Sequence, residues 1–144
     1  MDPRQITPRY SVSPQVEPMD RPAIAAAGFT KVICNRPDAE NPPALQAAAM
    51  AEAAKAAGLE FEVLELTHQT MTPDNIARQR EMIASAKGPV LAYCASGTRC
   101  SVIWALGQAG DMPVDAILST TAAAGYQLEN LRPMLDQLAA SSSS

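Results

Sequence analysis

Apolar positions along the chain follow two spacings that take turns. Runs rich in β-branched or aromatic residues at 10–13, 31–35, 61–66 and 90–93 read as strands, the last one apolar throughout and buried in character. Between and after them lie alanine-rich segments of helical period, at about 19–27, 42–57, 72–86, 101–108, 113–124 and 127–138. Their punctuation is explicit. Gly28 and Gly58 stop the first two helices, Asn41 offers a cap before the prolines that open the second, and Thr72-Pro73 opens the third. Gly88-Pro89 then breaks the pattern. Strands alternating with helices predict an α/β layer fold with a central, mostly parallel sheet of about four strands, closed by a C-terminal helix pair.

Parallel strands collect ligands beyond their carboxyl ends. The loops after the strands at 31–35, 61–66 and 90–93 are therefore expected on one edge. Arg36, Asp38 and Glu40 follow the first, His68 follows the second, and a cysteine loop follows the third.

That loop, Cys94-Ala95-Ser96-Gly97-Thr98-Arg99-Cys100, runs into an apolar helical pattern through Val102, Ile103, Ala105 and Leu106. Backbone N–H groups and the positive helix end converge there, so the segment Ala95 to Cys100 is predicted to bind an anion, with Gly97 supplying the curvature. A helix N-terminus and a nearby guanidinium lower a thiol pKa, which makes Cys94 the predicted nucleophile and Arg99 its anion-binding partner. Arg36, Asp38 and His68 are the candidate pocket wall. Cys100 reads as a packing residue or a thiol able to resolve oxidised Cys94, Cys34 as core, and Trp104 as a core anchor.

Composition narrows the function. The 144 residues suit a single domain over 1–140, with the serine tail 141–144 expected to be unstructured. A net charge of −4 argues against nucleic acid or an anionic membrane as the main partner. Three cysteines and one histidine without a C-x-x-C pair predict no metal site, no cofactor and no disulfide framework. With no apolar run of membrane-spanning length or of signal-peptide type, the expected location is the cytoplasm. Oligomeric state leaves no trace in the sequence.

The pattern Cys94-x-x-Gly97-x-Arg99 resembles the active-site loop of rhodanese-type sulfurtransferases and, with one residue fewer, the loop of cysteine phosphatases. Over residues 6–131 the chain resembles the beta-lactamase-hydrolase-like protein, phosphatase-like domain family, through Ser11-Val12-Ser13-Pro14-Gln15, Val32-Ile33-Cys34-Asn35-Arg36-Pro37-Asp38-Ala39-Glu40 and the segment from Gly88 to Arg99. The resemblance implies a tyrosine-phosphatase-like fold, with members described as phosphatases or as sulfur transferases. The related phosphatases carry an acid upstream of the cysteine. Here 67–71 hold no carboxylate, and Asp74 fits a helix first turn instead. The family pattern often has a basic residue after the cysteine, where this chain has Ala95. The expected activity is sulfane sulfur transfer through a Cys94 persulfide, from a small anionic donor to a thiol or cyanide. Phosphomonoester hydrolysis and a non-catalytic anion-binding or redox-sensing role are the alternatives.

Overall fold

A computed structural model describes residues 2–142. Its strands are β1 (Arg4–Thr7), β2 (Tyr10–Ser13), β3 (Lys31–Cys34), β4 (Glu60–Val63) and β5 (Val90–Tyr93). They form one sheet in the order β1-β2-β5-β3-β4. β2, β5, β3 and β4 run parallel, as expected, and β1 adds an antiparallel edge pairing Arg4 with Val12. The pattern at 4–7 did not suggest this fifth strand. Arg4 and Gln5 are exposed there, so pairing with β2 rather than an apolar alternation makes it a strand.

β5 lies in the middle with all four residues buried. Its period of two splits the core. Leu91 and Tyr93 face one side, packed with Val32, Cys34, Ile24, Met50 and Ala54, under α1 (Arg21–Ala26) and α2 (Ala47–Ala56). Val90 and Ala92 face the other, and Cys94 continues their parity into a larger cluster with Ile33, Ile103, Ile117 and Leu135. That side is covered by α3 (Pro73–Ala84), α4 (Thr98–Gln108), α5 (Val114–Ala123) and α6 (Arg132–Ser142). Trp104 is buried in this cluster, the core anchor that its position suggested.

Several boundaries differ from the sequence reading. The helix expected at 42–57 starts at Ala47, because Asn41 and Pro42 are extended and Pro43–Leu45 make only a 3-10 turn. Asn41 therefore does not cap it. Its side chain donates to the Leu45 carbonyl, and its own carbonyl accepts from Gln46 Nε2. Thr72 does cap α3, accepting from the Asn75 amide at 3.2 Å. α4 begins at Thr98, ahead of the expected 101, since the Gly97 carbonyl already accepts from the Ser101 amide. α6 runs through Ser141 and Ser142, which were expected to be an unstructured tail, and Ser143 and Ser144 lie outside the described residues.

A buried polar chain crosses the larger cluster. Asn35 and Gln79 exchange side-chain hydrogen bonds at 3.0 Å, Asn35 also donates to the Leu64 carbonyl, and Gln79 donates to Tyr10 Oη. Tyr10 Oη in turn donates to the Cys100 carbonyl at 2.8 Å. The carboxyl ends of β3 and β4 and the start of β2 are thereby tied to α3 and the first turn of α4. Replacing Gln79 with alanine leaves the buried Asn35 Oδ1 without its donor, and the expected loss is about 1–3 kcal/mol of stability. Tyr10→Phe is expected to cost about 1 kcal/mol, both read as shifted urea midpoints at unchanged m-value.

Candidate functional site

Cys94 follows directly on β5, with its amide donating to the Ser13 carbonyl. Three residues then turn the chain into α4. Gly97 has φ +93°, in the left-handed region, and a Cβ there would strike the hydroxyl of Tyr126. Tyr126 donates to the Ser96 carbonyl at 3.0 Å and so fixes the outside of the turn. Inside it, Ser101 Oγ donates to the Gly97 carbonyl at 2.9 Å. The Thr98 amide donates to Ser96 Oγ.

The turn wraps the Cys94 sulfur in donors. The Gly97 amide donates to Sγ at 3.1 Å. The thiol pKa is lowered from 9.0 to about 5, and the largest cause is a hydrogen bond from the Cys100 thiol. Burial opposes this, and the amides of Cys100, Gly97 and Ser96 add to it. At neutral pH the sulfur is a thiolate. Cys100, expected mainly to pack, therefore has a defined electrostatic task. Its own thiol is pushed well up by burial first and by Cys94 second, so it stays protonated and donates.

Arg99 is buried, but its guanidinium is turned toward a carboxylate. Nη1 and Nη2 donate to the two Glu40 oxygens at 2.9 and 2.8 Å, and Nη1 also donates to the Leu66 carbonyl at 2.8 Å. The hydrogen bond from Arg99 holds the Glu40 carboxyl below its usual range, and the same bond raises the arginine. Arg36 reaches Glu40 from behind, through Nε to the carboxylate and Nη2 to its carbonyl, both at 3.2 Å. One carboxylate thus sits between two guanidiniums. With the Cys94 thiolate as the second anion, the site is close to neutral.

A cavity of about 470 Å³ opens here, lined by Glu40, Thr67, His68, Gln69, Ala95, Ser96, Thr98 and Arg99. The loops after β3, β4 and β5 do meet at one edge, as the parallel sheet required. His68 is in the wall as expected. Arg36 and Asp38 are not. Arg36 acts through Glu40, and Asp38 accepts from the Ala47 amide at 2.7 Å, which ties the loop to α2. Sequence reasoning placed Glu40 in the charged cluster without selecting it, since nothing local distinguishes it from Asp38. Tyr126 carried no signal at all, being remote in sequence from the loop it buttresses.

Other candidates take structural places. Cys34 is buried, its thiol donates to the Arg36 carbonyl, and burial raises its pKa, which leaves it an unreactive core thiol. Asp74 occupies the exposed first turn of α3 and does not line the cavity. Among the described residues no cluster of histidine, cysteine or carboxylate side chains could hold a metal ion, and no helix is long and apolar enough to cross a membrane.

The arrangement can present a thiolate nucleophile beneath an anion-binding turn. Its ionisation is directly measurable. Alkylation of Cys94 by iodoacetamide is expected to rise with pH through a midpoint near 5 and then level off. Cys100→Ala is expected to move that midpoint up by roughly one unit or more, while Cys100→Ser, which keeps a donor, is expected to restore most of the shift.

Comparison with known proteins agrees with this architecture. The sequence signature of the family described as beta-lactamase hydrolase-like protein, phosphatase-like domain, matches residues 2–111. A beta-lactamase hydrolase-like protein of Agrobacterium fabrum (strain C58) is 34% identical over 107 residues, covering 74% of this chain and 25% of its own length. One from Xylella fastidiosa (strain Temecula1) is 30% identical, covering 85% of this chain and 29% of its own. The chain thus spans between a quarter and a third of the curated relatives it matches. A solved protein from Neisseria meningitidis z2491, provisionally named a phosphatase, superposes with a TM-score of 0.85 at 36% identity, covering 94% of this chain and 96% of that one. A TpbA variant from P. aeruginosa, solved in complex with pTyr, shares the fold at a TM-score of 0.69 and 12% identity, covering 99% and 90% of the two chains. The tyrosine-phosphatase-like fold and the matched signature together mean that the chain belongs to the beta-lactamase hydrolase-like protein, phosphatase-like domain family.

Proposed function

We propose that this phosphatase-like domain transfers sulfane sulfur through a persulfide on Cys94. The observation that carries the reading is the pairing of a low-pKa thiolate with a cavity that offers no carboxylic acid to a leaving group. Among the described residues Glu40 is the only carboxylate in the lining, and Arg99 keeps it ionised. Ester hydrolysis needs a proton for the departing oxygen, a contribution of about 10²–10⁴ in rate that His68 rather than a carboxylic acid would have to supply here. Sulfite leaves without one.

In the first half-reaction the Cys94 thiolate attacks the outer sulfur of thiosulfate. A new S–S bond forms, the old one breaks, and sulfite departs with the electron pair. An acceptor thiolate then attacks the outer sulfur of the Cys94 persulfide, leaving as its own persulfide and returning Cys94 to the thiolate. The Ala95–Thr98 turn is also one residue shorter than a phosphatase cradle, which suits a single sulfur atom better than a tetrahedral phosphate. Cys94 itself is 0% exposed, so the exposed side chains of Ala95 and Ser96 and the Glu40–Arg99 pair must yield when a donor enters.

Phosphoryl transfer is the second reading, and the comparisons favour it: the family is phosphatase-like, and its solved neighbours are named as phosphatases. In it Cys94 attacks phosphorus, an S–P bond forms as the ester P–O bond breaks, and the alcohol leaves with a proton from water or His68. Arg99 leaves Glu40 to bind the equatorial oxygens, and water then cleaves the S–P bond, releasing phosphate and returning the thiolate.

The two readings separate in one experiment. After thiosulfate, intact-protein mass is expected to rise by one sulfur atom on the wild type and not on Cys94→Ser, and Arg99→Ala is expected to slow that loading by about 10-fold or more. Turnover of an activated aryl phosphate without any sulfur adduct would select phosphoryl transfer instead.

A further inference from the structure

A second cavity, of about 380 Å³, adjoins the first and shares His68 and Thr98 with it. Its character is different. Val102 and Leu106 of α4 form one wall, and Leu128, Leu131 and Met134 face them from the start of the C-terminal helix and the turn before it. Met71 closes one end. Met134 is 49% exposed, one of three large apolar side chains so exposed among the described residues. The facing wall, at 128–134, lies outside the residues that the family signature matches. The polar mouth beside Arg99 and this apolar groove form one continuous depression with His68 and Thr98 at the junction.

We propose that the groove binds the apolar tail of the substrate, so that the group transferred at Cys94 arrives on an amphiphile: a short alkyl or aryl chain carrying an anionic head, as in an organic thiosulfonate. The outer sulfur of that head passes to the Cys94 thiolate as its S–S bond breaks and the sulfinate leaves with the electron pair. The inference rests on group transfer at Cys94. It adds which substrates are preferred. An inorganic anion fills only the polar mouth, whereas a head linked to several methylenes also removes the exposed Met134 edge from water. Gln127 and Asn130 at the groove rim leave room for polar substituents along the tail. Among the described residues the tail side of the junction holds no charged side chain, which disfavours a second anionic group there.

The test uses inert alkanesulfonates, from methane- to octanesulfonate, bound to the whole protein and followed by calorimetry. Kd is expected to fall about fourfold per added methylene until the groove is filled, then to level off. Met134→Glu is expected to flatten that dependence and Met134→Leu to keep it. Met19→Glu, at an exposed apolar position that lines neither cavity, is the control and is expected to keep it too. Circular dichroism confirms the fold of each variant. A Kd independent of chain length, or a dependence that Met134→Glu leaves intact, overturns the groove. Because sulfonates are not turned over, the two ideas fail separately. Chain-length dependence without a thiosulfate adduct sustains the groove and removes sulfur transfer. An adduct without chain-length dependence does the reverse.

Discussion

Everything the site can do depends on the hydrogen bonds that hold negative charge on a buried sulfur. Burial alone raises a thiol pKa, as it does at Cys34 and Cys100. At Cys94 the same penalty is overcome by one neighbouring thiol and three amides. Those donors converge only because the backbone at Gly97 is left-handed, and it stays so because Tyr126 packs where a side chain would be. Fold and ionisation are thus one problem. The buried chain from Asn35 through Gln79 and Tyr10 to the Cys100 carbonyl fixes the helix turn from which two of the donors come.

The guanidinium carries a second task beside the one the sequence suggests. The Cys94 charge raises Arg99, the reciprocal of Arg99 stabilising the thiolate, while its two terminal nitrogens donate to Glu40 and the Leu66 carbonyl. Charge balance explains the arrangement. A bare buried arginine would carry an uncompensated charge; Glu40 and the Cys94 thiolate supply the counter-charges, and Arg36 in turn balances Glu40. In the proposed function, an entering anion would take the place of the Glu40 carboxylate on Arg99. The same exchange would uncover the sulfur beneath.

Much of the fold could be read from local pattern because β2 and β5 have clear limits and their neighbours alternate with alanine-rich helices. The cysteine loop was legible for a chemical reason: only Gly97 could make that turn and only a thiol there could ionise. What stayed hidden depends on contacts distant in sequence. β1 exists through pairing, Glu40 rather than Asp38 reaches Arg99 through the path of the loop, and Tyr126 meets Gly97 only after α5 has returned the chain. The Cys100 role was hidden too, since a cysteine on the first turn of an apolar helix looks like packing until its direction is known.

A thiolate at Cys94 held by hydrogen bonds within the turn shows itself most directly in the ultraviolet thiolate absorbance of the wild type minus that of Cys94→Ser as a function of pH. A single ionisation with a midpoint near 5 is expected. A difference signal that emerges only at the ordinary thiol value of about 8.5, or higher, would contradict it.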